Sequence, residues 1–315
     1  MVLFNCCRIA IYIMSIVIIL YLLTNESDCK RVQRRSESRI MNGVSTSIKK
    51  YKFMVSLIKL KQGFITEYEL ICGGSIIRKH WVLTAAHCIT SEKLDEKLLK
   101  KKMIVIRGNS VYFDSNINGT CAKDHSIIFR RPHGSYGLKS GNNDIGLIKV
   151  QEPFNGKFEE PINIAPPGYL VTVDQSGIML GWAHDANERK PYILKHVDLR
   201  IFDKSNCRQV FRHIKGEITD NMICAAKEGT NACQGDSGGP LVQNNFQIGI
   251  ISWSLECPKI APIVFTEVSK YTEKWINPII ANIDKKNELR RNKKRITFKI
   301  EELKISSIWH FLKPN

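Results

Sequence analysis

The sequence predicts an all-β protein, built either as a sandwich or as a pair of barrels. Between residue 40 and about residue 283, short runs rich in β-branched and aromatic residues alternate with turn signals. One pair of runs, PLVQNNFQIGIISW, has Asn244-Asn245 where a hairpin turn would lie. Apolar residues make up 43% of the 315-residue chain, which is enough for a hydrophobic core and excludes wholesale disorder.

The chain begins with a hydrophobic leader. Residues 9–23 carry no charge, and a polar stretch follows them. A run of that length fits the core of a signal peptide and is short for a bilayer span of about 20 residues. We expect residues 1–23 to be a removed signal peptide or, since no pair of small residues marks a cleavage site, an uncleaved signal anchor. Either leader predicts a secreted protein, with a membrane form in the second case.

Residues 24–39 are polar and dense in charge, which is typical of a linker or pro-segment. The β-rich region follows it, and two helical patterns interrupt that region. One begins after Asp203, and the other covers about residues 268–280, where Pro278 should disturb the last turn.

The charge balance is strongly basic. Lys and Arg total 47 against 30 Asp and Glu, a net charge of +17, and residues 284–315 hold ten of the bases and four of the acids. Such a surplus favours anionic partners. This C-terminal tail is therefore either solvated and loosely docked, or a basic amphipathic element that contacts an anionic membrane or polysaccharide surface. We expect a monomer with no nucleic-acid partner.

Three motifs carry the chemistry of a nucleophilic hydrolase. His87 lies in TAAHC, Asp144 opens the apolar run NDIGLIKV, and Ser237 is flanked by glycines in GDSGGP. A serine hydroxyl needs a base within hydrogen-bond reach, and an imidazole can take its proton and return it. In this order, and with CQGDSGGP and SW in register, the motifs resemble the trypsin/chymotrypsin family of serine proteases over residues 40–283.

The resemblance implies two six-stranded antiparallel β-barrels with a C-terminal helix. It also implies a secreted serine endopeptidase that works through an acyl-enzyme, with protein or peptide substrates and protein inhibitors as partners. The backbone N–H groups of Gly235 and Ser237 would form the oxyanion hole, and Ser252 would hydrogen-bond Asp144. The alternative is a catalytically silent homologue that acts as a binding protein.

The same resemblance implies that the chain is a zymogen. Arg39-Ile40 looks like the activation site, although Met41 and Asn42 depart from the usual Val-Gly. Cleavage would free the Ile40 amine to pair with Asp236 and order the oxyanion loop.

The cysteines match the family in part. By resemblance, three disulfides are expected, namely Cys72–Cys88, Cys207–Cys224 and Cys233–Cys257. Cys29 and Cys121 then remain outside the leader; they pair with each other, which would keep the pro-segment attached, or with another chain.

No cofactor is expected. The sequence has no CxxC pair and no HExxH, so zinc is not indicated, and Asn109 stands where calcium-binding relatives carry an acid. Asn118-Gly119-Thr120 is an N-glycosylation sequon in a turn-rich stretch.

The expected specificity is for small or medium uncharged side chains rather than Arg or Lys. Asn231 stands six residues before Ser237, where trypsin-like enzymes have the Asp that pairs with a basic side chain. An enzyme of this kind would not cut its own Arg39–Ile40 bond, so an external trypsin-like activator is expected. The substrate-binding residues implied by the resemblance are Asn231, Ser252, Trp253, Ser254 and Ile263.

Overall fold

The computed structural model describes residues 43–61, 67–114, 121–182, 193–213, 217–228, 235–255 and 262–311. Within the last range, it describes side chains to residue 297, with residue 294 excepted. Several predicted residues lie outside these ranges: Cys29, Arg39, Ile40, Asn118, Asn231, Cys233 and Cys257.

Twelve strands form two closed barrels, which confirms the predicted fold class. The first barrel follows the order β2-β3-β4-β7-β6-β5 and closes on itself. Its strands are β2 (Met54–Lys61), β3 (Glu67–Arg78), β4 (Trp81–Thr84), β5 (Ile104–Gly108), β6 (Lys123–Pro132) and β7 (Gly146–Val150). All the pairings are antiparallel. Every residue of β4, β5 and β7 is buried, since these strands pack on both faces.

The second barrel follows the order β9-β10-β11-β14-β13-β12 and closes through β12 and β9. Its strands are β9 (Ser176–Gly181), β10 (Lys195–Phe202), β11 (Met222–Ala226), β12 (Pro240–Gln243), β13 (Phe246–Trp253) and β14 (Ile263–Glu267). The hairpin turn expected at Asn244-Asn245 joins β12 to β13, and both residues have φ in the left-handed region. Two short strands, β1 (Val44–Ser45) and β8 (Asn163–Ile164), add to β10 and β13, and the β8 pairing is parallel.

The barrels share one hydrophobic core cluster. Trp81, Leu83 and Ile148 of the first barrel belong to the same cluster as Leu180 and Ile250 of the second. A buried hydrogen bond also joins the two barrels: the Ser75 hydroxyl donates to Gln247 Oε1 over 2.5 Å. The barrels are therefore packed against each other as one body.

Four α-helices complete the described part of the chain: α1 (Glu96–Lys100), α2 (Lys204–Phe211), α3 (Ser269–Tyr271) and α4 (Asn277–Phe311). The helix expected after Asp203 is α2, and Asp203 caps it by accepting from the Ser205 N–H over 2.7 Å. Cys207 of this helix forms a disulfide with Cys224 of β11. The bond holds α2 against the second barrel.

The C-terminal helix is longer than the sequence pattern indicates. A π-helical segment (Thr272–Ile276) joins α3 to α4, and the Asn277 N–H donates to the Thr272 carbonyl. Pro278 follows in the first turn of α4, where its missing N–H is tolerated, so it does not end the helix. The helix then continues past residue 283 without a break and includes the basic run that we expected to be a separate tail. No helix among the described residues is both long and apolar enough to cross a bilayer.

Candidate active site

The pairing of two neighbouring strands brings His87 close to Asp144. β4 and β7 are antiparallel, with Thr84 opposite Gly146. The end of β4 and the start of β7 therefore lie at the same edge of the first barrel. His87 follows β4 in a short 3-10 helix (Ala86–Cys88), and Asp144 lies two residues before β7.

Both carboxylate oxygens of Asp144 contact His87. The His87 backbone N–H donates to Oδ1 over 2.9 Å, and the ring nitrogen Nδ1 lies 2.7 Å from Oδ2. The Ser252 hydroxyl donates to the same Oδ2 over 2.6 Å. Asp144 is buried, so these hydrogen bonds replace those that its carboxylate would make with water. The arrangement fixes the orientation of the imidazole ring and directs Nε2 away from the carboxylate.

The second barrel and helix α3 also hold the segment at Asn143 and Asp144. The Thr266 hydroxyl donates to the Asp144 carbonyl over 2.8 Å, and the Tyr271 hydroxyl donates to Asn143 Oδ1 over 2.8 Å. Asn143 has a φ of 56°, in the left-handed region that Asn tolerates better than most residues. Sequence reasoning missed these three residues. The only local signal was the Asn142-Asn143 pair before the acid.

Ser237 lies at the boundary between the barrels, in the turn before β12. Its carbonyl accepts from the Gly73 N–H of β3 over 2.8 Å. Gly238 packs so tightly against the end of β4 that a Cβ there would lie 2.2 Å from Thr84 Oγ1 and 3.2 Å from the Ala85 nitrogen. Ser237 itself is only partly buried. The serine is thus held open to solvent beside the segment that leads into His87.

The glycine two residues before the serine has an unusual backbone. Gly235 has a φ of 106°, which side chains rarely allow, and a Cβ there would lie 2.9 Å from Leu70 Cδ2. Asp236, which lies between Gly235 and Ser237 in the chain, is fully buried against the backbone of Gly181. The turn therefore buries the Asp236 carboxylate and leaves Ser237 partly exposed.

Burial near the carboxylate affects the neighbouring tyrosines. Burial and the charge of Asp144 raise the pKa of Tyr136 to about 12. The same two causes, together with Glu267, raise the pKa of Tyr271 still further. Both phenols are therefore neutral near pH 7 and can donate hydrogen bonds there.

A disulfide stabilises the His87 side of the site. Cys72 of β3 is bonded to Cys88, and Cys88 Sγ lies 3.6 Å from His87 Nε2. The sulfurs and the imidazole of these three residues cluster closely enough to suggest a metal site. Because the sulfurs are joined to each other, neither is the thiolate that zinc requires.

A small cleft of about 290 Å³ adjoins the His87 and Asp144 side chains. Gly141 and Trp253 both line it and are in direct contact, since a Cβ on Gly141 would lie 2.6 Å from Trp253 Cδ1. The indole also packs edge to face on Phe211, with 5.0 Å between the ring centroids. The cleft therefore has an aromatic wall that the backbone at Gly141 holds in place.

The predicted specificity residues are only partly placed. Ser252 contacts Asp144, Trp253 lines the cleft, and the Ser254 hydroxyl donates to the Leu255 carbonyl over 3.1 Å. Ile263, which the resemblance implied as a substrate-binding residue, is fully buried in the hydrophobic core of the second barrel. Asn231 lies outside the described residues.

Comparison with known proteins agrees with this geometry. The family model described as Trypsin matches residues 40–276. Trypsin epsilon of Drosophila erecta is 32% identical over 244 residues, which cover 76% of this chain and 87% of that protein. Kallikrein-11 of Mus musculus is 30% identical over 259 residues, which cover 78% of this chain and 84% of that protein.

A solved structure shares the architecture as well. It is described as neuropsin, a serine protease expressed in the limbic system of mouse brain. It matches with a TM-score of 0.58 and 28% identity, and the match covers 73% of this chain and 96% of that one. The extent of the family match and the identity to the trypsins show that this chain belongs to the trypsin-like serine proteases and is a serine endopeptidase.

Proposed function

We propose that Ser237, His87 and Asp144 form the catalytic triad of this endopeptidase. The observation that carries the proposal is the buried Asp144 carboxylate, which lies 2.7 Å from His87 Nδ1 and also accepts from Ser252. His87 Nε2 takes the proton of the Ser237 hydroxyl as its oxygen attacks the substrate carbonyl. Asp144 holds the ring tautomer and stabilises the imidazolium that forms.

The later steps return this proton. The carbonyl oxygen becomes an oxyanion and accepts from the backbone N–H groups of Gly235 and Ser237. One such donor is typically worth about 3 kcal/mol of barrier. As the intermediate collapses, the C–N bond breaks, and the imidazolium gives its proton to the leaving amine. Water then attacks the acyl-enzyme with the same base, which releases the acid and restores the Ser237 hydroxyl.

We propose further that cleavage after Arg39 activates the chain. Ser45 pairs with Lys195, which in turn pairs with Gly181, and Gly181 lies against Asp236. Two strand spacings and one contact therefore place Ser45 about 14 Å from Asp236. The five residue-to-residue steps from Ile40 to Ser45 can span about 17 Å when extended. A free Ile40 amine can therefore reach the Asp236 carboxylate.

The proposed enzyme prefers uncharged P1 side chains, because the Asn231 amide supplies no charge for Arg or Lys. It therefore depends on an external trypsin-like activator. Incubation of the pure zymogen tests this dependence. We expect no new N-terminus at Ile40 on that treatment, and rapid processing by the wild type alone would contradict it.

We also propose secretion, with residues 1–23 removed as a signal peptide or retained as a signal anchor, and residues 24–39 held by a disulfide after activation. Cys121 is disulfide-bonded, and its partner lies outside the described residues, which is compatible with the expected Cys29–Cys121 bridge. After cleavage at Arg39, non-reducing electrophoresis should show one species and reducing electrophoresis two. A fragment that separates without reductant would contradict the bridge.

A mass loss on enzymatic deglycosylation, absent in Asn118→Gln, would show a glycan at Asn118.

The alternative is a silent homologue that binds proteins without cleaving them. Protein with an engineered cleavage site before Ile40 should be labelled stoichiometrically by an organophosphonate, and Ser237→Ala should not be labelled. A library of substrates varied at P1 then gives the specificity. If folded, cleaved protein takes up no label, the binding role is correct and the triad proposal fails.

A further inference from the structure

A second groove lies between helix α4 and the first barrel. The family match ends at residue 276, so the helix that forms one wall lies beyond the region shared with the Trypsin family. The groove encloses about 1140 Å³. That exceeds the roughly 300–1,000 Å³ of typical small-molecule pockets. It is therefore large enough for an extended chain.

Specific bonds hold α4 in place beside this groove. Arg78 donates to Asn277 Oδ1 over 3.3 Å, and Trp81 Nε1 donates to Asp284 Oδ1 over 3.2 Å. Lys149 forms an ion pair with Asp284 and lies over the Trp81 ring, 5.2 Å from its centroid. The wall is therefore docked through residues 277–284, and the basic run begins where that contact ends.

The groove wall is cationic. Arg290, Arg291 and Lys293 line it and are exposed, and none of them forms an ion pair with a side chain that the structure describes. Asp284 also lines it but is already bound to Lys149, which leaves Glu288 as its one uncommitted acid among the described lining residues. The groove thus has a surplus of positive charge.

The histidine on the barrel side responds to this field. Burial lowers the pKa of His80, and the charges of Lys149 and Arg291 also lower it, against the hydrogen bond with the Val150 carbonyl and the charge of Asp284. An added anion in the groove would meet charges that the protein leaves uncompensated.

The barrel side of the groove is mixed: His80, Lys149 and Gln151 line it together with one exposed apolar residue. Ile128 of β6 lines it with 53% of its surface exposed, and Val150 of β7 lies beside it. A polysaccharide has little surface that would gain from contact with Ile128. A peptide that carries both acidic and apolar side chains matches both walls.

We infer that this groove binds an acidic, partly apolar peptide segment of a partner protein. Two segments of this chain outside the described residues, 312–315 and 24–39, do not suit it. Residues 312–315 span at most about 14 Å, whereas about 21 Å of helix separates residue 297 from residue 311. Residues 24–39 hold five bases and three acids, the wrong charge for the site.

The test uses the full chain with Ser237→Ala, so that the probe is not hydrolysed and the result does not depend on catalysis. The probe is a fluorescein-labelled peptide of twelve residues in which Glu alternates with Leu. Its fluorescence anisotropy should show saturable binding. Reversal of three charges in Arg290→Glu, Arg291→Glu and Lys293→Glu together should weaken binding about tenfold or more.

A matched control separates the groove from net charge alone. Lys285→Glu, Lys286→Glu and Arg295→Glu together change the charge equally, on helix residues outside the groove lining. This triple variant should change the affinity less than twofold. Equal losses in the two triple variants would overturn the proposal.

The contribution of Ile128, on the barrel side of the groove, is tested separately. Ile128→Ser should weaken binding about threefold, and a peptide that alternates Glu with Ser should bind the parent chain weakly. If the Glu-Ser peptide or a heparin fragment binds as tightly as the probe and is unaffected by Ile128→Ser, the ligand is a general polyanion and the proposal fails.

Discussion

The Ser252 hydroxyl donates to Asp144 Oδ2 over 2.6 Å, and that oxygen is the one that lies 2.7 Å from His87 Nδ1. Ser252 belongs to β13 of the second barrel, whereas Asp144 and His87 belong to the first. The orientation of the imidazole thus depends on both barrels.

Replacement of Ser252 should therefore slow catalysis without unfolding the protein. A hydrogen bond to a charged group contributes about 1.5–3 kcal/mol, so Ser252→Ala should lower kcat/KM of the cleaved enzyme about tenfold or more. Ser252→Thr retains the hydroxyl and should recover most of the activity. Full activity in the Ala variant, at an unchanged melting temperature, would show that Asp144 does not need this donor.

A buried pair in the first barrel should make stability depend on acid. Glu159 Oε1 lies 2.8 Å from His125 Nε2, and both side chains are fully buried. Burial alone would raise the pKa of Glu159, but the hydrogen bonds from His125 and the Gly156 N–H lower it below the usual 4.5. The ionised carboxylate therefore stabilises the fold above pH 4.5, and this contribution is lost as the pH falls through the lowered pKa.

Thermal unfolding of Glu159→Gln at a series of pH values measures this contribution. The variant should be less stable by about 2 kcal/mol at pH 7, and the difference should shrink below pH 4.5. Glu160→Gln is the matched control, because Glu160 is exposed and pairs with Lys52 at the surface. A difference for Glu159→Gln that is constant from pH 3 to pH 7 would contradict the assignment.

Gly141 should resist substitution for two separable reasons. It has a φ of 65°, and a Cβ would collide with the Trp253 indole. Gly141→Ala should cost about 1–2 kcal/mol from the backbone alone, and it should also lower kcat/KM because Trp253 must move. Gly168→Ala isolates the first effect, since Gly168 has a φ of 75° and no atom within 4 Å of the added carbon. Equal kcat/KM values in the two variants would show that the position of Trp253 does not affect catalysis.

The Asp284 carboxylate should hold the start of the basic run against the barrel. Asp284→Asn keeps an acceptor for Trp81 Nε1 but removes the charge that Lys149 needs. Amide hydrogens of residues 285–297 should then exchange roughly fivefold faster, as for a loss of about 1 kcal/mol. Glu288→Gln makes the same change one turn later and should leave exchange unaltered. Equal exchange rates in the two variants would place the anchor elsewhere.

Sequence patterns could predict the architecture because the serine, histidine and aspartate motifs are local and stand in a telling order. The hairpin at Asn244-Asn245 and the cap at Asp203 were also readable, since both depend on neighbours in the chain. The hydrogen bond from Thr266 to the Asp144 carbonyl could not be predicted from the sequence, because it joins residues 122 positions apart. Periodicity likewise could not show that α4 continues past residue 283, because the docking of Asp284 on Trp81 is a tertiary contact.

The core cluster shared by the two barrels has a thermodynamic consequence. Neither barrel can lose its packing without exposing part of the other, so calorimetry should record a single cooperative transition rather than two. Since the proposed triad spans the same boundary, heating should abolish peptide hydrolysis at the temperature at which the whole protease melts.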